Sequence, residues 1–149
     1  MKRKLAWILI LAALVTVSAF TQSAAEIEEL LSAEAVTYEE AAWFVLRVAE
    51  IPGIDNSAGA FNYAMEQNWL PANAAPGDRA RLDDLSLLIM RAFDFNGGLL
   101  YTAAKNSHYA YRELVYKGII QGRADPGMAV SGDLLLFLSG RVLSLTEVD

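Results

Sequence analysis

Apolar residues recur at helical spacing along most of this chain, and proline, glycine and polar stretches divide them into segments. Ile27, Leu30 and Leu31 stand at i, i+3, i+4, which predicts a short acidic helical lead-in over 20–36. Thr37 opens the next helix. Its hydroxyl is placed to cap free amides while Glu40 reaches back, a capping box. Ala41, Phe44, Val45 and Val48 form the expected buried stripe. Trp43 and Arg47, four apart on another stripe, are placed to stack. Pro52-Gly53 closes this helix. A second helix runs from about Ser57 to Asn68 with Phe61, Ala64, Met65 and Asn68 on one face, and the proline-rich loop PANAAPGDRA follows it. A third begins at Arg81 with Leu85, Leu88, Ile89 and Ala92 inward, and Asp83 and Asp84 in the first turn suit the helix dipole. Asn96-Gly97-Gly98 stops it and reads as a flexible joint. Leu99 to Lys117 is rich in aromatic residues, and Gly118 ends its helix. Ser131 is expected to cap the last helix, with Leu134, Leu135, Leu138 and Val142 inward, and Gly140 suggests close contact with a neighbouring helix. Residues 146–149 read as a frayed tail. No segment alternates with the period of a strand, so the fold class is all-α.

The segments repeat. Shifting the chain by fifty, without a gap, lays Ala58–Phe95 on His108–Leu145. Pro76-Gly77 falls on Pro126-Gly127, Asp83 on Asp133, Leu85 on Leu135, Leu88 on Leu138 and Arg91 on Arg141. Trp69-Leu70 falls on Ile119-Ile120, so each copy leaves its first helix through two apolar residues. The second half of the unit occurs once more at Thr37–Val48, which sets Arg47, Arg91 and Arg141 at one equivalent position. Residues 37–145 therefore read as one domain of helical-hairpin repeats.

The first residues are an address. Met1-Lys2-Arg3-Lys4 precedes the nearly all-apolar run Leu5–Val17, and Val17-Ser18-Ala19 supplies the small residues of a cleavage site. Residues 1–19 thus read as a secretory signal peptide, the alternative being a retained anchor. The run is shorter than the roughly 20 residues a spanning helix requires. The chain has no cysteine, which excludes a lipid-modified cysteine terminus and a disulfide framework. The net charge is −6, and without residues 1–19 it becomes −9, because three basic residues and no acid are removed. So acidic a surface argues against nucleic acid as a partner.

The repeat resembles the surface-layer homology (SLH) family of envelope-anchoring domains. That family's unit has a helix ending near a G-I-I-x-G string, a glycine- or proline-bearing loop, and a threonine-capped helix often beginning T-R-A-E. Gly118-Ile119-Ile120-Gln121-Gly122 matches the string, Thr37 and Ser131 match the capping residue, and Arg91 and Arg141 match a basic residue late in the second helix. The resemblance covers residues 37–145, as one half repeat and two whole ones. It implies three capped helices around a pseudo-threefold axis and a role at the cell wall. The chain departs from the family at the binding arginine of T-R-A-E, where Tyr38, Leu82 and Gly132 stand, and at Trp69-Leu70-Pro71, which replaces the glycine string.

Three functions are open on these residues. One is an exported, non-catalytic envelope module in the periplasm or on the surface of a bacterium, holding cell-wall polysaccharide or peptidoglycan, or docking on another envelope protein. Its candidate contacts are Arg47, Arg91, Arg141, Trp43, Trp69, Arg79, Arg81 and Arg123, since guanidinium forks hold carboxylates and aromatic faces stack on sugars. Membrane contact is expected only through the signal segment. The second is a subunit of an exported assembly, anchored through Tyr101, Tyr109, Tyr111 and Tyr116. The third, an enzyme, has little to stand on. His108 is the only histidine, no serine sits in a nucleophile elbow, and no residue cluster calls for a metal or cofactor. An acid pair such as Glu39 with Asp83 is the nearest approach to catalytic chemistry.

Overall fold

The computed structural model describes residues 24–146, and these are helical with no strand among them. It divides into two compact units that meet in sequence between Ser32 and Ala33. The described part of the first is helix α1, residues 24–32, with Ile27 and Leu31 exposed and Leu30 half-buried. The sequence-predicted signal peptide, residues 1–19, lies outside the described residues. No described helix is long and apolar enough to cross a membrane.

The second unit holds α2 (Tyr38–Val48), α3 (Ser57–Glu66), α4 (Leu82–Ala92), α5 (Leu99–Ala104), α6 (Ser107–Tyr116) and α7 (Gly132–Thr146). Helix α2 starts at the expected capping box. The Glu40 amide donates to Thr37 Oγ1 at 3.2 Å, and the Thr37 amide donates to Glu40 Oε2 at 2.7 Å. Helices α3 and α6 start alike on Asn56 and Asn106, whose side chains accept from the Gly59 and Tyr109 amides. The last helix differs from expectation at its start, because the Ser131 hydroxyl donates to the Asp133 carboxylate. That bond, with the Leu134 amide, holds Asp133 below the usual carboxylate range.

Four helices end in the same way. The Ile51, Trp69, Phe95 and Ile119 amides each reach back to a carbonyl five residues earlier, and the residue before each one is left-handed. Glycine fills that position at Gly118 (φ 71°), whereas Glu50, Asn68 and Asp94 adopt it at φ 55°, 57° and 50°. The glycine string missing from the earlier repeat is thus replaced by Asn68 in the same backbone conformation. The paired residues that follow are buried in both copies, Trp69-Leu70 and Ile119-Ile120 alike.

The starts of α2, α4 and α7 are joined by backbone. The Val36 amide donates to the Val130 carbonyl (2.8 Å), Val130 to Ala80 (2.9 Å), and Ala80 back to Val36 (2.9 Å). These bonds close a ring, and all three residues are buried. Each helix start then extends one of the three contacts. The Tyr38 amide donates to the Asp78 carbonyl, Leu82 to Met128, and Gly132 to Ala33.

Helix α4 is buried on nearly every face, including Leu82, Leu85, Leu88, Ile89 and Met90, as expected of a central helix. The closest helix pairs are α2 with α3 and α4 with α6. The sequence unit was read as α3 with α4 and α6 with α7, the pairs joined by the proline–glycine loops. The hairpins that pack are therefore offset by one helix from the hairpins that repeat. The 67–81 and 117–131 connections instead run through Ala80 and Val130 of the hydrogen-bond ring.

Further expectations change. The inward face of α2 is Tyr38, Ala41, Ala42, Val45 and Leu46, with Phe44 and Val48 only half-buried; on α7, Leu134 is also half-buried. Gly140 makes no close helix contact: it is exposed, and a Cβ there would meet nothing within 4 Å. The Asn96–Gly98 stretch is tied down. A Cβ on Gly97 would fall 2.3 Å from the Tyr101 ring, and the Gly98 amide donates to Glu113 Oε1 at 2.9 Å. Thr146, the first residue of the expected frayed tail, is helical and its hydroxyl donates to the Leu143 carbonyl, while residues 147–149 lie outside the described residues.

Candidate functional site

A groove of about 550 Å³ opens beside the start of α4. Tyr38 comes from α2, and Asp83 and Asp84 from the first turn of α4. Asn106, Ser107 and His108 belong to the start of α6, and Asn73, Asp78, Arg79 and Arg81 to the α3–α4 loop. The repeat explains this convergence. The ring at Ala80 brings the loop and α4 beside α2, and the Asn106 cap turns α6 back along α4.

The floor is a buried hydrogen-bond network. The Tyr38 hydroxyl donates to Asp84 Oδ2 at 2.6 Å, and the Ser107 hydroxyl donates to Asp84 Oδ1 at 2.8 Å. Asp84 is 6% exposed and Tyr38 5%. Burial first, then the hydrogen bond and charge of Asp84, push the Tyr38 phenol well above the ordinary tyrosine range. Arg81 closes the rim. Its Nε and Nη2 hold Asp83 at 3.1 and 3.0 Å, and Nε lies 3.9 Å from Asp84. The Asp83 hydrogen bonds raise the Arg81 guanidinium further above its usual value. Asp83 also accepts from the Asp84 amide at 3.0 Å, the helix-start role expected of it.

Two cationic or titratable side chains remain available at the walls. Arg79 makes no hydrogen bond or ion pair among the described residues, and His108 is exposed with its ring edge-on to Tyr109 at 5.2 Å. The groove thus offers a guanidinium, an imidazole, carboxamides and carboxylates above a fixed polar floor. Groups of these kinds can hydrogen-bond to the hydroxyls and carboxylates of a ligand. Among the described residues no group of His, Asp and Glu is placed to bind a metal.

The sequence-predicted contacts are scattered, and of the set only Arg79 and Arg81 line the groove. Arg47 stacks over Trp43 at 4.8 Å, as its spacing suggested. Arg91 lies against Tyr101, partly countering the rise that burial produces in that phenol. Arg141 Nη2 donates to the Gly118 carbonyl at 2.6 Å, its guanidinium lies over Phe137, and the Gln121 carboxamide oxygen accepts from it at 3.2 and 3.3 Å when turned inward. Arg141 therefore closes the end of α6. Trp69 is buried with its ring edge against Tyr63, and Arg123 is exposed on the α6–α7 loop.

Of the tyrosines, Tyr101 is buried, Tyr109 is half-buried, Tyr111 is half-buried with its hydroxyl donating to the Ala124 carbonyl, and only Tyr116 stands in solvent. The candidate acid pair is committed elsewhere, Glu39 to the Ser57 hydroxyl at 2.5 Å and Asp83 to Arg81.

Sequence reasoning missed Tyr38, Asp84 and Ser107 as a unit. A signal was present: Asn56-Ser57 and Asn106-Ser107 recur at the same spacing of fifty, two residues ahead of the repeat as it was drawn. Each serine follows a capping asparagine and reaches a first-turn carboxylate, Ser57 that of Glu39 in α2 and Ser107 that of Asp84 in α4. No family model, curated protein or solved structure matches the chain.

Proposed function

We propose that this chain is an exported, non-catalytic envelope module of SLH-like architecture that holds cell-wall glycan in the α2–α4–α6 groove. In this reading α2, α4 and α7 surround a pseudo-threefold axis, and the observation that carries it is the closed hydrogen-bond ring of Val36, Ala80 and Val130. The ring links the three equivalent positions that precede Thr37, Arg81 and Ser131. The groove opens beside one of these starts, where the Arg79 guanidinium and the His108 imidazole offer hydrogen bonds over the Asp84 floor. The acidic surface at large disfavours anionic polymers, so contact with the wall depends on these local groups and on hydroxyl hydrogen bonds to Asn73 and Asp78.

The test is retention of the purified chain on sacculi and on wall polysaccharide at low salt. The function predicts retention that falls at least about tenfold in the double variant Arg79→Ala/His108→Ala, as the loss of two charge-assisted hydrogen bonds implies. Arg47→Ala and Arg141→Ala leave retention unchanged, because those groups lie elsewhere. Absence of retention on either material, or retention indifferent to Arg79 and His108, overturns it.

A further inference from the structure

The interval between Thr37 and Arg81 is 44 positions and that between Arg81 and Ser131 is 50. The six additional residues lie between α4 and α6, because Asn56 follows Thr37 by 19 positions and Asn106 follows Arg81 by 25. Helix α5 has six residues and no counterpart between α2 and α3. It is an insertion into the repeat, and its surface is unusual. Leu99 is 85% exposed and Leu100 55%, while Tyr101 beneath them is 4% exposed and anchors the helix. The Gly98–Glu113 bond sets the start of α5 beside the middle of α6, and Lys117 lies over the Phe95 ring at 5.8 Å. Leu99 and Leu100 therefore emerge next to the last turns of α6, which carry Val115 at 38% and Tyr116 at 88% exposure.

Charge separates this region from the rest. Residues 91–125 carry Arg91, Lys105, Arg112, Lys117 and Arg123 against Asp94, Glu113 and Asp125, a net +2 within a chain of −6. Lys105, Arg112, Lys117 and Arg123 are exposed. Protruding leucines, a solvent-facing tyrosine and a surrounding basic field form the composition that suits an anionic bilayer surface. The leucines enter the acyl boundary, tyrosine sits at headgroup level, and lysine and arginine meet lipid phosphates. A neutral partner accounts for the leucines but not for a basic island on an acidic protein.

We infer that α5 and the end of α6 form a docking surface for anionic lipid headgroups. This adds a membrane contact to the one expected through the signal segment alone. It lies at the opposite end of α6 from His108 and the groove, roughly 12 Å along the helix, so lipid and glycan are held without competing. It stands whether or not the groove binds glycan.

The absence of cysteine makes the test site-specific. The full chain carrying Leu99→Cys is labelled with an environment-sensitive fluorophore and mixed with vesicles of phosphatidylglycerol and phosphatidylcholine, or of phosphatidylcholine alone. A second chain, Glu66→Cys, labels the exposed end of α3. The apolar run Leu5–Val17 binds either vesicle, so total binding is not the readout. The expected result is a blue shift at position 99 with the anionic vesicles, reversed at high salt, with no shift at position 66. In the chain labelled at position 99, Lys105→Glu/Lys117→Glu raises the lipid concentration needed for the blue shift at least about tenfold, and Leu100→Ser/Tyr116→Ser raises it at least about tenfold. Far-ultraviolet circular dichroism checks that both double variants remain helical. A label at position 99 that keeps its aqueous emission on bound anionic vesicles overturns the proposal, as does an equal shift with phosphatidylcholine alone.

Discussion

Tyr38→Phe tests whether the buried carboxylate holds the domain together. The substitution keeps the ring that fills the core beside α4 and removes only the hydroxyl that donates to Asp84 at 2.6 Å. A hydrogen bond to a charged group is worth about 1.5–3 kcal/mol, and neither residue has solvent to compensate for its loss. The expected destabilisation is therefore about 2 kcal/mol. Asp84→Ala costs more, about 3–5 kcal/mol, since it strands the hydroxyls of both Tyr38 and Ser107 and leaves Arg81 with Asp83 alone. If Tyr38 acts through Asp84, the double variant is less unstable than the two singles combined, by about 1.5–3 kcal/mol. Urea unfolding followed by tryptophan fluorescence and circular dichroism measures all three, with the denaturant slope compared between variants. A coupling below about 0.5 kcal/mol, or a Tyr38→Phe variant as stable as the parent, refutes the view that this network joins α2 to α4 and α6.

The same phenol sets an alkaline limit. Because the folded state holds Tyr38 and Tyr101 above the ordinary value of about 10, the unfolded chain releases these protons first. Stability is then independent of these groups below about pH 10 and falls above it, by up to about 1.4 kcal/mol per pH unit for each tyrosine. In Tyr38→Phe this loss is shallower, as urea titrations at pH 9 and above will show. Gly140→Ala should stabilise the protein by roughly 1 kcal/mol, since the position is helical, exposed and open; an unchanged or lowered thermal midpoint counts against that placement. Glu50→Gly should add about 0.5–1 kcal/mol by relieving a left-handed backbone at φ 55°, whereas the same exchange at Glu66, within α3, should destabilise by a similar amount.

Much of the architecture is written in local chemistry. The capping box at Thr37, the stacking of Trp43 with Arg47, and the inward set Leu85, Leu88, Ile89 and Ala92 follow from spacing, because neighbours three and four apart meet on any helix. The left-handed end at Gly118 is also local, since glycine adopts it without steric penalty. Its counterparts at Glu50, Asn68 and Asp94 were less legible. There the same turn forms without glycine, on Asn68 and Asp94, which tolerate the left-handed region, and on Glu50, which does not favour it.

The ring of Val36, Ala80 and Val130 and the Tyr38–Asp84–Ser107 network belong to the other category. Each joins residues more than twenty positions apart, and nothing in the pattern distinguishes Asp84 from an ordinary first-turn acid. The repeat determined which segments are equivalent, but not which equivalents touch: α3 packs on α2 and α6 on α4, while the loops after them enter the ring at Ala80 and Val130. A periodic sequence encodes the faces of its helices through side-chain spacing. Which face meets which, and which carboxylate is sealed from water, depends on loop reach and on competition for one buried centre, and these are decided only when the whole chain folds.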